Sequence, residues 1–425
     1  MFNTRICLVA LGIMAATQAV ASEQSDSKGF VADSSLNVLL RNAYINRDYK
    51  NTPSTSNDKA EWGQAVIGTF SSGFTQGTVG VGVDAFGLYA LRLDGGKGKS
   101  GAGGIDFFKQ DSDGEAARDL SRMGGAIKFR VSNTVLKYGD MMPSLPLLQY
   151  DDSRLLPESY TGTMITSKEI KGLEINAGHF TEEARKSATG RDSGGLKQID
   201  VLGGSYTFND QLKGSLYGMN VQDIYKQQYL GLTYVQPLSK DQSLTLDFNG
   251  YRTDLYREFA ATQGGDTNRI WSLAATYAMG AHSFTLAHQR SSGDAGYPYG
   301  GYQNNGGVGN GGNSIYLSNS YWSDFNGEDE RSWQLAYGLD FGTFGVPGLT
   351  YKVAYVRGTN IHTAEGDGSE RELFNQLQYV VQSGVAKNLK LRARSSFLRV
   401  DNSVTSYNSS GNEFRLFAEY PISIF

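Results

Sequence analysis

The sequence predicts an all-β protein, an antiparallel transmembrane β-barrel, on the strength of three observations. Segments of about ten residues alternate apolar and polar positions from Leu36 to the C-terminus. Clusters of Gly, Asn, Asp and Ser interrupt them at turn spacing. Finally, Arg5 precedes an apolar run from Ile6 to Ala16 that leads to Ala19-Val20-Ala21, the small-x-small pattern of a signal-peptidase site. That run is too short to cross a bilayer as a helix. Residues 1–21 are therefore read as a signal peptide and residues 22–425 as one barrel domain.

The alternation justifies the strands in turn. In Arg331 to Phe341, Trp333, Leu335, Tyr337, Leu339 and Phe341 share one face, opposite Ser332, Gln334, Ala336, Gly338 and Asp340. Trp271, Leu273, Ala275 and Tyr277 oppose Ser272, Ala274 and Thr276, and Leu230, Leu232 and Tyr234 oppose Tyr229, Gly231 and Thr233. A soluble sandwich shows the same alternation. Aromatic residues near strand ends, the export signal and arginines on the polar face favour the barrel, with an outer-membrane location. A single-chain bacterial barrel needs an even strand number, and at about 20 to 24 residues per strand with its loops the length suggests 18, with 16 as the alternative. A terminal aromatic, Phe425, closing the last strand agrees with this.

Composition excludes several function classes. The single cysteine, Cys7, lies in the leader, which rules out disulfides, thiolate chemistry and iron–sulfur clusters in the mature chain. His is not clustered, so no metal site is expected. The Gly-rich stretches lack a phosphate-loop lysine, so no nucleotide, cofactor or energy source is implied. A net charge of −4 argues against a nucleic-acid partner.

Two long loops stand out as candidate constrictions: Gly139 to Gly162, whose Pro143, Pro146 and Pro157 would stiffen an inward fold, and Ser291 to Asn313, which either folds inward or stays an extracellular loop. Strand parity then aims basic side chains into the lumen. With Ile127, Phe129 and Val131 outward, Lys128 and Arg130 face inward; the same reasoning turns Lys390, Arg392 and Arg394, then Arg415 beside Glu413, and Arg41 of the first strand inward, and Lys352 joins this set. An arginine facing lipid at the midplane would cost roughly 2 to 4 kcal/mol. These groups either draw anions inward or neutralise wall carboxylates such as Glu413, Asp340 and Asp247.

The chain resembles the OprD-type substrate-specific porins of pseudomonads, also called outer-membrane carboxylate channels. The resemblance covers essentially the whole mature chain. It is carried by Gly29 to Arg47 with Asp33-Ser34-Ser35-Leu36, by Gly73 to Gly87, by Gly178-His179-Phe180-Thr181-Glu182, by Tyr321 to Gly327, by Val346-Pro347-Gly348-Leu349-Thr350, by Val380 to Gly384 and by Asn412 to Leu416. It implies an 18-stranded pore able to form a loose trimer, whose third and seventh loops make an eyelet beside a basic ladder that passes carboxylates. On that basis Arg154, Ser159, Tyr160 and Thr161, and Asp294, Tyr297 and Asn313, are candidate constriction residues, with Asp151, Asp152 and Glu158 opposing the ladder. Members that prefer basic amino acids carry an aspartate where this chain has Asn313, which favours simple or aromatic carboxylates. Expected partners are small anionic or zwitterionic solutes, outer-membrane lipid and lipopolysaccharide. The rivals are a basic amino acid or peptide porin of the same family, a nonspecific porin or adhesin, and a barrel hydrolase built on His179, His282, His288 or His362.

Overall fold

The structure, a computed structural model, describes residues 22–50, 58–95, 99–100, 105–110, 114–191, 196–297 and 315–425. The leader and Asn313 lie outside these residues. The strands are β1 (Ser35–Tyr49), β2 (Lys59–Ser71), β3 (Gly80–Asp94), β4 (Asp119–Val131), β5 (Thr134–Met141), β6 (Ser144–Leu145), β7 (Leu148–Gln149), β8 (Ser159–Ser167), β9 (Leu173–Ala184) and β10 (Ile199–Thr207). They continue as β11 (Leu212–Val221), β12 (Tyr225–Ser239), β13 (Gln242–Leu255), β14 (Thr267–Met279), β15 (His282–Gly293), β16 (Arg331–Asp340), β17 (Leu349–Ile361), β18 (Gly368–Val380), β19 (Lys390–Val400) and β20 (Gly411–Ser423).

All but β6 and β7 form one 18-stranded antiparallel sheet. It closes because β1 pairs with both β2 and β20, Arg41 lying opposite Ala65 on one side and Glu419 on the other. Closure removes every sheet edge, which a bilayer demands. One end carries tight turns, such as Ser132-Asn133 between β4 and β5, where Ser132 takes φ 54°, the left-handed geometry of a two-residue hairpin. The other end carries the long loops, which in such barrels face outward from the cell.

Side-chain placement inverts that of a soluble protein. Leu335 is 65% exposed and Trp333 55% on the outer wall, while Arg41, Glu413, Arg415 and Glu419 are buried inside. An outer apolar band around a charged interior suits lipid outside and polar contents within. The lumen holds its own apolar clusters where loops fold in. Leu145, Leu147 and Leu148 pack with Tyr160, Phe180 and Tyr217, and Leu155 and Leu156 pack with Ile45, Ala65 and Phe108.

Two loop boundaries differ from the sequence reading. β5 runs on to Met141 and β8 starts at Ser159, so the third loop is the shorter span 142–158; Pro143 ends the ladder by withholding its N–H. The seventh loop continues past Asn313 to Glu330, because residues 315–330 fold back against the wall instead of pairing as a strand. A seven-residue helix, α1 (Arg257–Gln263), lies in the sixth loop.

Candidate functional site

Closure of the sheet sets β19, β20 and β1 side by side, and register stacks their inward side chains in rows. Lys390 lies opposite Glu419, which lies opposite Arg41; Arg392 is opposite Phe417; Arg394 is opposite Arg415; Ser396 is opposite Glu413, which faces Arg47. Residues more than 340 positions apart in sequence thus share one basic column.

The column contains two kinds of arginine. Arg41 grips Asp152 with both terminal nitrogens, at 2.7 and 3.0 Å, and donates through Nε to Glu419 at 2.9 Å; Lys390 meets the other Glu419 oxygen at 2.6 Å. Glu413 accepts from Arg47 Nε at 2.7 Å and from Arg415 Nε at 2.5 Å and Nη2 at 2.9 Å. These are charge-assisted pairs that satisfy buried groups. Arg392 and Arg394 differ. Their Nε atoms are buried and have no hydrogen-bond partner among the described residues, and their guanidinium planes rest on aromatic rings, Phe417 at 4.7 Å and Phe374 at 4.9 Å. Phe374 is stacked in turn by Tyr321 of the seventh loop at 4.4 Å, and Lys352 lies 5.1 Å above the Tyr321 ring. Cation–π contact positions a guanidinium without consuming its donors.

The third loop crosses the lumen beside this column like a strap with two feet. Leu147 and Leu148 anchor one foot and Leu155 and Leu156 the other. Gly63 makes room for the second foot, since a methyl there would run into Leu155. Asp152 is fastened by Arg41, and the Pro157 carbonyl accepts from Arg122. Asp151 pairs with Lys186; burial alone would raise its carboxyl, but Lys186 and Arg154 outweigh burial and hold it below the usual carboxylate range. Glu158 is pushed well above that range by burial, against the pull of Lys186 and with Glu183 and Asp151 adding to the rise. The seventh loop meets the strap where Tyr316 OH donates to Gln149 Oε1 at 2.8 Å.

A cavity of about 260 Å³ lies between strap and column, lined by Gln149, Tyr150, Asp152, Ser153, Arg392, Arg394, Arg415 and Phe417. Toward the short-turn end lies a second, of about 380 Å³, lined by Asn37, Leu39, Ile67, Thr69 and Ser423 among others. Both are walled by Tyr150 and Asp152, which stand at the junction between them.

The structure brings Arg41, Lys390, Arg392, Arg394 and Arg415 together, with Lys352 nearby on β17. It sets Lys128 and Arg130 elsewhere, at the short-turn end of β4: Lys128 pairs with Asp84 at 2.6 Å, and Arg130 donates to Gln24 at 2.9 Å. Both lie over the Phe74 ring. Arg154 is in the strap, donating to Ser153 Oγ at 2.8 Å. Ser159 and Tyr160 are buried in β8, Tyr160 edge-on to Phe180, and Thr161 donates to Asp140 at 2.5 Å. Tyr297 is buried against Gln227. Asp294 stands at the rim, where its carboxylate accepts from the backbone of Asp266 and Thr267. Sequence reasoning missed Arg47, Glu419, Tyr321, Phe374 and Phe417; the available signals were the parity that Arg47 shares with Arg41 and Glu419 with Arg415, and, for Phe374 and Phe417, an aromatic residue where parity should be polar.

No serine contacts a histidine side chain through its hydroxyl among the described residues. His179 meets Asp200, His282 meets Tyr337, His362 meets Asp367, and His288 meets the Ser332 carbonyl.

The family model described as "outer membrane porin, OprD family" matches residues 28–424. Porin D of Pseudomonas aeruginosa is 44% identical, over 96% of this chain and 95% of its own length. The crystal structure of OccAB1 from Acinetobacter baumannii superposes with a TM-score of 0.87 at 38% identity, covering 95% of this chain and all of that one. The structure of Pseudomonas aeruginosa OpdK with vanillate gives a TM-score of 0.80 at 32% identity, over 93% of this chain and all of that one.

Proposed function

The chain belongs to the OprD family of outer membrane porins, and from that premise we propose that it is a passive channel selective for small carboxylate-bearing solutes, simple or aromatic. It is a porin of the Gram-negative outer membrane and not an enzyme. The observation that carries the proposal is the pair Arg392 and Arg394, the column arginines that have no carboxylate within ion-pair distance among the described residues and that line the cavity at the strap. A carboxylate can be held there bidentately, passed from one guanidinium to the next, and released. Each stop must bind weakly, or passage ends. Phe417 and Tyr150 in the same cavity offer faces to an aromatic acid, and the relative OpdK was crystallised with vanillate.

A preference for basic amino acids would need an available carboxylate at the junction. Asp152 is held by Arg41 and Asp151 by Lys186, so the described residues favour anions. The proposal includes lipid and lipopolysaccharide around the barrel, and a trimer in the membrane.

Uptake into liposomes tests it, with benzoate, a dicarboxylate, arginine and a neutral sugar as solutes. Carboxylates should enter fastest, and Arg392→Ala with Arg394→Ala should slow them at least tenfold while leaving sugar entry within twofold. Equal rates for all four solutes, or carboxylate uptake untouched by the substitutions, would refute it.

A further inference from the structure

The outer wall carries a second set of arginines that the channel does not use. Arg252 on β13, Arg269 on β14, Arg290 on β15, Arg331 on β16, Arg357 on β17 and Arg371 on β18 are all exposed and lie at the long-loop end of their strands. Each has the parity of lipid-facing neighbours: Arg290 follows Leu286, Arg331 precedes Trp333 and Leu335, and Arg357 follows Tyr355.

Register makes the arrangement costly. Arg252 is directly opposite Arg269, Arg290 opposite Arg331, and Arg357 opposite Arg371. Like charges facing across a strand pair destabilise a sheet, and here it happens in three successive pairs. Arg252 alone has a carboxylate nearby, Asp254 at 3.3 Å; among the described residues none lies within ion-pair distance of the other five. Arg399 stands on the same row, opposite Arg371, but its guanidinium is spent on Asn412 and on the Leu398 and Gly411 carbonyls.

Depth supplies the second observation. One step toward the short-turn end, on the same face, Trp271, His288 and Trp333 lie in a row, His288 stacked on Trp333 at 4.4 Å and edge-on to Trp271 at 5.5 Å. Below them the wall is Leu273, Leu286 and Leu335, each 45% exposed or more. Aromatic rows of this kind mark the membrane interface, which puts the arginines at headgroup level of the outer leaflet.

We propose that this belt on β13–β18 is a docking surface for the phosphorylated glycolipid of the outer leaflet, each facing arginine pair clamping one phosphate. A phosphate dianion between two guanidinium groups converts the repulsion into charge-assisted hydrogen bonds. The belt gives a place on the wall to the lipopolysaccharide contact proposed above and rests on that reading, while it is independent of which solute the lumen passes.

The test uses the folded barrel in neutral detergent, titrated with bisphosphorylated lipid A, with the same lipid stripped of phosphate, and with inorganic phosphate. Lipid A should bind and raise the unfolding temperature, while the other two should do neither. The variant Arg290→Gln, Arg331→Gln, Arg357→Gln, Arg371→Gln should bind lipid A at least tenfold more weakly, conduct like the wild type, and in lipid-free detergent unfold at the same temperature or higher. The double variant Arg357→Gln, Arg371→Gln should show an intermediate loss. Equal binding of the dephosphorylated lipid, equal binding by both variants, or a response to inorganic phosphate matching that to lipid A would each overturn the proposal.

Discussion

Within one basic column, Arg41, Arg47 and Arg415 behave as masonry, while Arg392 and Arg394, a few ångströms along the same wall, do not. The first group is matched charge for charge by Asp152, Glu413 and Glu419, so little of its field is left for a solute. The second is propped by Phe417 and Phe374, which fix orientation without neutralising charge. Parity makes the two groups look alike, since every member is an inward arginine. What separates them is what stands beside each: a carboxylate turns an arginine into scaffold, and a ring leaves it available to ligand.

The sharpest way to break that distinction is Glu413→Ala. It strips the carboxylate from Arg47 and Arg415 together, and losing one partner of a buried ion pair costs roughly 3 to 5 kcal/mol. The unfolding temperature of the folded barrel should fall by the largest margin of any substitution considered, and a value close to that of the wild type would mean that these arginines are not scaffold. Next in size is Gly63→Ala, which pushes a methyl into Leu155 and lifts one foot of the strap. A cost of about 1 to 3 kcal/mol is expected for such overpacking, with single-channel conductance rising as the junction at Tyr150 and Asp152 widens. Smaller still in stability is Arg392→Gln with Arg394→Gln, at about 1 kcal/mol or less for removing each guanidinium from its ring, although carboxylate block of the current should disappear.

The least effect concerns Glu330, where the seventh loop returns to the wall. Its carboxyl accepts from Gly327 N at 2.9 Å, and burial, then the neighbouring Glu370, push it well above its ordinary 4.5. A carboxyl with a raised folded-state value stabilises the protonated, folded form. That contribution is complete below 4.5 and is lost as pH rises through the raised value. Amide exchange over residues 321–330 should therefore speed up with pH beyond its intrinsic rate, and Glu330→Gln should flatten the trend. An unchanged trend in the variant would assign it to another group.

Much of the fold was legible because a strand has period 2 and a barrel allows only two environments. Trp333 and Ser332, or Leu391 and Arg392, declare their sides without any knowledge of neighbours. The strand number followed from length. Loop bounds were less legible: β5 runs two residues past the expected Gly139 before Pro143 stops it, and nothing in Tyr316 to Glu330 distinguishes a chain folding back on the wall from one forming strands. The functional site was legible only as a set of inward cations. The partner of Arg47 is Glu413, 366 residues away, and it is sheet closure and register that join them. Phe374 and Phe417 carried the one readable hint, aromatic residues at polar parity, and they mark the two arginines of the column that have no carboxylate partner among the described residues.

Reversal potential under a salt gradient, measured on the wild type and on Arg392→Gln with Arg394→Gln, tests the central claim most directly. The wild type should prefer anions, and the double variant should lose that preference while keeping its fold and conductance class. An anion preference that survives both substitutions would return Arg392 and Arg394 to the scaffold and contradict the account.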